Sequence, residues 1–250
     1  MSFKSNLRKI FNILTPQKSV AYPVEITAEE VSLIERCKPF TMTSIERLYA
    51  TMSSTKYIIN NGISGSLVEC GVWRGGNSMI MAHTLLSMGV KDRDIYLFDT
   101  FEGMTDPSSL DRDTSGKLAK DQLDASKKRE GDNIWCLASL EDVQDNFAGV
   151  GYPSNLLHYI KGDVQDTLDV QVNLPEEVSL LRLDTDWYES TKKELDVLFP
   201  RLVKGGVCLI DDYGHWQGAR KALDDYLAEH KLYPLIHVTD YTGRVFIKTS

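Results

Sequence analysis

Short apolar runs alternate with longer amphipathic stretches along most of this chain, and that alternation limits the folds open to it more than any other feature. "SLVEC", "DIYLFD", "NLLHYIKGD", "VSLLRLD" and "GGVCLIDD" follow one another in order. "SMIMAHTLLSMG", "SLEDVQDNFAG" and "ESTKKELDVLFPRLV" lie between them, and "GARKALDDYLAEH" follows the last. Apolar runs of roughly four to eight residues separated by helices of ten or more describe a parallel sheet with crossover helices. "YPLIHVTD" and "GRVFIKTS" close the chain around a short turn, which predicts a hairpin and an antiparallel edge. The expected fold class is therefore α/β, a doubly wound, mostly parallel sheet with an antiparallel C-terminal edge. Ligands in such sheets bind beyond the carboxyl ends of the strands.

Carboxylates collect at those ends. Asp184 and Asp186 follow "LLRL", and Asp211 and Asp212 follow "GGVCLI". On neighbouring strands they would meet at one rim and repel each other unless they held protons or a cation. Oxygen-only ligands point to a hard divalent ion, Mg²⁺ before Mn²⁺ or Ca²⁺. The competing reading makes them caps of the following helices, which accounts for one pair more comfortably than for both.

A glycine turn precedes them. In "VECGVWRGGNS" the strand is expected to end at Glu69, with glycines at 71, 75 and 76 before a helix that starts near Asn77. Such a turn lets backbone approach a ligand and presents helix N–H groups to it. One βα unit later Asp99 ends a strand and Glu102 lies just beyond, where nucleotide-binding sheets place an acid for ribose hydroxyls. The combination fits an adenosine-bearing cofactor, and on these residues alone NAD stays open. "TSIERLYATMSSTKYIIN" begins with a capping-box pattern, Thr43 or Ser44 before Glu46.

Composition narrows the partners. A net charge of −8 argues against a nucleic-acid surface. Cys37, Cys70, Cys136 and Cys208 lie far apart without a CxxC pair, which suits a reducing, cytoplasmic setting. No apolar run is long enough for a membrane span, and the N-terminus lacks the features of a cleavable signal. Phe3, Leu7, Ile10, Phe11 and Leu14 recur at helical spacing among Lys4, Arg8, Lys9 and Lys18. Residues 1–40 are expected to form a helical extension that packs on the domain or a second subunit, with peripheral membrane contact as the alternative.

"MTSIERL", "VECGVWRGGNS", "DTFEGM", "SLEDVQDNF", "LRLDTDWYEST" and "GGVCLIDDY" together resemble the macrocin O-methyltransferase family. The resemblance runs in order from about residue 41 to 226. It implies a Rossmann-like class I methyltransferase domain over residues 41–250. It also implies S-adenosylmethionine-dependent methylation of a sugar hydroxyl on a glycoconjugate, polysaccharide precursor or glycosylated natural product, assisted by a divalent metal. Carried over at matching positions, the cofactor would lie against Glu69, Cys70, Gly71, Val72 and Trp73, and against Asp99, Thr100, Phe101, Glu102 and Gly103. Thr41 and Met42 would close over it, and Ser139 would sit near the adenine. The implied metal ligands are Asp184, Asp211 and Asp212, with Asp186 or Asp184 itself as general base. Cys70 departs from the threonine expected there. Residues 105–133 read as a flap over the acceptor, and Trp73, Trp187, His215 and Trp216 are further candidates for ligand contact. Relatives lead to the expectation of a homo-oligomer. Two other readings are an NAD-dependent oxidoreductase acting on a sugar nucleotide, which leaves the aspartates idle, and a binding protein that has lost turnover.

Overall fold

Every strand of the sheet is a run read from the sequence, bounded by the residues that stop it. The structure, a computed structural model, describes residues 22–249. The chain divides into units Met1–Ser32 and Leu33–Ser250. In the first unit, Thr27 and Glu30 make a reciprocal capping box, each side chain accepting the other's backbone N–H. The expected amphipathic helix around residues 3–14 lies outside the described residues. No helix among the described residues is long and apolar enough to cross a membrane.

The helices are α1 (Ala28–Cys37), α2 (Ile45–Asn60), α3 (Gly76–Ser87), α4 (Ala119–Asp124), α5 (Leu140–Ala148), α6 (Val164–Thr167), α7 (Tyr188–Leu198) and α8 (Gln217–Glu229). The strands are β1 (Ser66–Cys70), β2 (Ile95–Asp99), β3 (Leu157–Lys161), β4 (Val178–Leu183), β5 (Leu202–Ile210), β6 (His237–Val238) and β7 (Arg244–Ile247). Their order in the sheet is β3-β2-β1-β4-β5-β7-β6. The first five run parallel, and β7 pairs antiparallel with both β5 and β6. The expected fold class is what the structure has. Strand order reverses between β1 and β4, so a crevice must open there beyond the strand ends.

Period-two alternation sorts the strand residues between two faces. Val68, Cys70, Leu181, Leu183, Cys208 and Ile210 join Leu195 and Leu198 of α7 and Leu223 and Tyr226 of α8 in one buried cluster. The intervening positions, Glu69, Arg182 and Asp211, point to the other face, where α2 and α3 lie. Glu69 bonds Ser78 of α3 and Asp211 bonds Arg47 of α2. Three charged side chains thus enter a layer built mainly of apolar ones.

At the reversal the two strand tips nearly touch. The Asp184 N–H donates to the Cys70 carbonyl at 2.8 Å. A Cβ on Gly71 would fall 1.9 Å from the Asp184 carbonyl oxygen, at a φ of +81°. Gly71→Ala is therefore expected to destabilise the fold by well over about 1 kcal/mol. Gly62→Ala, at φ +64° with nothing within 4 Å, should lose only about 1 kcal/mol. Denaturant unfolding of the two variants checks this, and equal losses would contradict the close approach.

Candidate active site

The turn after β1 is held by an acid from the next strand. Asp99 Oδ2 accepts the backbone N–H of Val72 at 2.7 Å and of Trp73 at 3.0 Å, while Oδ1 accepts that of Phe101 at 2.7 Å. Burial pushes its carboxyl up, and these donors pull it back in part. Asp99, expected as a ribose acid, thus ties two loops together. Gly75 takes φ +93° and α3 starts at Gly76, one residue before the expected Asn77. Asn77 is buried, accepts from Thr51 at 3.1 Å, and donates to Thr41 and Thr43 at 3.3 and 3.2 Å. This fixes residues 41–43 above the turn. Ser44 caps α2 through the Arg47 N–H.

These loops bound a cavity of about 460 Å³, a usual size for a small-molecule site. Thr41, Met42, Glu69, Gly71, Val72, Trp73, Asp99, Thr100 and Gly103 line it. Cys70 and Phe101 are buried and lie outside the lining. Glu102 is exposed and paired with Lys161 at 2.9 Å. Ser139 caps α5 by accepting the Asp142 N–H at 3.1 Å. Residues that sequence reasoning missed include Gly162, Asp163 and Val164, which line the cavity just after β3. Their signal was the "KGD" ending that strand.

Across the cavity stand the aspartates of β4 and β5. Ligand atoms of Asp184, Asp186 and Asp212 all lie within 4.8 Å of one another. Asp211, expected as a ligand, instead turns its two oxygens to Arg182 and Arg47. Asp186 makes up the third member of the cluster. Its backbone has φ +67°, a conformation sparse for residues other than glycine and often found at functional sites. Trp73 and Cys136, with φ +48° and +45°, share both the conformation and the cavity.

Arg182, which the sequence reading passed over, anchors this half. Its side chain is 1% exposed, and Nη1 lies 2.7 Å from both Glu69 Oε1 and Asp184 Oδ2. Nη2 meets Asp211. Burial opposes its charge, but the three carboxylates outweigh that and keep it protonated. Burial also pushes Glu69 up to about 7 and Asp186 up to about 7. Asp211 rises to about 6, and Asp212 stands well above the ordinary carboxylate range, both through burial first. Arg47 spans Asp211 and Asp240, the latter at 3.0 Å.

A hard cation fits the cluster on two grounds. The ligand atoms are all oxygens within 4.8 Å of one another, and Asp212 Oδ2 is buried with no hydrogen-bond partner among the described residues. The expected flap lines one wall through Thr105, Asp132 and Asn133, and Met104, Ile134 and Cys136 extend it. Trp216 and His215 also line the cavity, whereas Trp187 is buried, edge-on to Trp216 at 5.0 Å, and donates to the Thr105 carbonyl. His83 lies outside the lining, its pKa lowered by burial.

The family model described as macrocin-O-methyltransferase (TylF) matches residues 26–248. The chain is 32% identical over 204 residues to the 8-demethyl-8-(2,3-dimethoxy-alpha-L-rhamnosyl)-tetracenomycin-C 4'-O-methyltransferase of Streptomyces olivaceus, covering 81% of this chain and 73% of that protein. It is 30% identical over 209 residues to the demethyldecarbamoylnovobiocin O-methyltransferase of Streptomyces niveus, covering 84% and 76%. Among solved structures, the O-methyltransferase NovP aligns at a TM-score of 0.73 and 28% identity, over 84% of this chain and 83% of that one. The calicheamicin methyltransferase CalS11, at 15% identity and a TM-score of 0.62 over 92% and 98%, shares the fold. The oxidoreductase alternative finds no support in these likenesses.

One buried group behind the cluster gives a direct test of its electrostatics. Glu194 of α7 is fully buried, and neither of its oxygens has a hydrogen-bond partner among the described residues. Burial pushes its carboxyl well up from 4.5; Thr185 lowers it in part without reaching hydrogen-bonding geometry. A raised folded pKa means that the folded state binds the extra proton, so stability falls as pH rises above about 4.5. Glu194→Gln cannot ionise. Its stability relative to wild type is expected to rise between pH 5 and 8, by up to about 1.4 kcal/mol per pH unit. Urea unfolding at both pH values checks this, and a difference independent of pH would contradict it.

Proposed function

The chain belongs to the macrocin O-methyltransferase family, and from that membership we propose that it moves a methyl group from S-adenosylmethionine to a sugar hydroxyl. The observation that carries this reading is one cavity with a tied glycine turn on one wall and a cluster of three carboxylates, Asp184, Asp186 and Asp212, on the other. The net change turns O–H into O–CH₃, releases S-adenosylhomocysteine and frees one proton.

The cofactor side is the turn from Glu69 to Trp73 with Asp99, Thr100 and Gly103, roofed by Thr41 and Met42. Its fixed backbone removes the need to order a loop on binding. On the other side, Asp184, Asp186 and Asp212 would hold a divalent cation, with Asp211 beside them. Such an ion, when bound, supplies Lewis-acid polarisation of a hydroxyl whose own pKa is far above neutral. The Asp186 carboxylate, an oxygen of which lies within 4.8 Å of oxygens of Asp184 and Asp212, is the group placed to take the proton of that hydroxyl. Alignment of acceptor and donor falls to the walls around them, Met104 and Ile134 of the flap and Trp216 opposite.

Charge bears on the acceptor. The lining is rich in carboxylates, contains one arginine and no lysine, and that arginine, Arg47, is engaged by Asp211 and Asp240. Among the described residues a diphosphate beside the sugar would find no free cation in this lining, so a sugar on an uncharged aglycone fits better than a sugar nucleotide. The relatives named above, whose names give a rhamnosyl-tetracenomycin and demethyldecarbamoylnovobiocin as what they methylate, support that choice.

Asp186→Asn is expected to lower kcat by about 10²–10⁴-fold with S-adenosylhomocysteine affinity kept, as read by single-turnover assay and calorimetry. Undiminished turnover would remove Asp186 as the base. Binding of S-adenosylhomocysteine without binding of NAD⁺ is expected in the same calorimeter. Because burial leaves Asp186 and Asp212 holding protons near neutrality, Mg²⁺ binding should release protons. Calorimetric titration at pH 7 in buffers of different ionisation enthalpy measures that release, and identical heats in every buffer would contradict it.

A further inference from the structure

We propose that Arg182 is a positioning residue for both halves of the reaction site, its guanidinium setting the Asp184 and Asp211 carboxylates on one side and Glu69 on the other. This rests on the methyl-transfer reading above and adds to it a residue through which the two half-sites are joined.

Register places the residue. Arg182 of β4 sits directly opposite Glu69 of β1, on the sheet face that also carries Asp211 just past the end of β5. Three acids from three adjacent strand ends thus share one cation at 1% exposure. Arginine offers a planar fork whose nitrogens can meet separate carboxylates at once, whereas the single nitrogen of a lysine cannot span all three. The contact holds Asp184 through Oδ2, and the same carboxylate has an oxygen within 4.8 Å of oxygens of Asp186 and Asp212. Glu69 has a second, independent anchor in the Ser78 hydroxyl. A buried ion cluster of this kind is often no more stable than apolar packing of the same volume, so its presence under a cavity floor points to orientation of the acids above it.

Arg182→Lys keeps the charge and loses the fork. Removing the orienting partner of a metal ligand commonly lowers metal affinity about 10–100-fold. We expect that loss for Mn²⁺, read by electron paramagnetic resonance of the free ion on the cofactor-free protein. A smaller loss is expected in S-adenosylhomocysteine affinity, read by calorimetry with chelator present. Ser78→Ala should weaken S-adenosylhomocysteine binding alone and leave Mn²⁺ binding as in wild type. Arg182→Lys that binds both ligands like wild type would overturn the role of Arg182 while leaving the proposed function intact. Wild-type protein that binds neither would overturn both. Should Arg182→Lys not fold, wild type labelled with ¹⁵N-arginine decides. The guanidinium signal slowest to exchange should shift on addition of Mg²⁺ and again on addition of S-adenosylhomocysteine. A signal unmoved by either would contradict the proposal.

Discussion

A single buried guanidinium sets the terms for the rim of this sheet. Glu69, Asp184 and Asp211 come from three neighbouring strand ends and would repel one another in a dry layer without Arg182 between them. Removing one partner from such a buried arrangement costs on the order of 3–5 kcal/mol, because the charges left behind have no water to turn to. The compensation is incomplete. Among the described residues no cation forms an ion pair with Asp186 or Asp212, and both line the cavity.

Strand order makes one cavity out of two half-sites. Since the sheet reverses between β1 and β4, the glycine turn and the Asp184–Asp186 segment leave adjacent strands and diverge around one crevice. Gly71 permits the approach because any side chain there would strike the Asp184 backbone. Asp99 then holds the turn from the other flank through three backbone N–H groups. A methyl donor on one wall and an alcohol on the other would meet without any large movement of the sheet.

Much of this could be read from the chain, and what could not has definite causes. The central strands β1 and β4 and the second half of β5 announce themselves because burial on both faces makes them mostly apolar runs, whereas edge strand β3 is half-buried and carries His158 and Lys161. Arg182 hides within one of those runs; only the register against Glu69 reveals why an arginine belongs there. The family resemblance implies both Asp211 and Asp212 as metal ligands, but residues adjacent in sequence at a strand end point different ways. One meets two arginines and the other joins Asp184 and Asp186. Ser139 and Asp99 were legible as polar residues at strand or helix ends, and their hydrogen bonds turned out to serve a helix cap and a loop staple. The flap was visible as a long polar insertion, while its packing of Trp187 against Trp216 depends on contacts far apart in the chain.

The most direct test is crystallographic: diffraction from crystals grown with S-adenosylhomocysteine and Mn²⁺, collected where manganese scatters anomalously. An anomalous peak among Asp184, Asp186 and Asp212, with the nucleoside lying along the Glu69–Trp73 turn in the same cavity, is the expected result. Manganese bound elsewhere, or the nucleoside on a different face of the sheet, would contradict a single site for methyl donor and sugar.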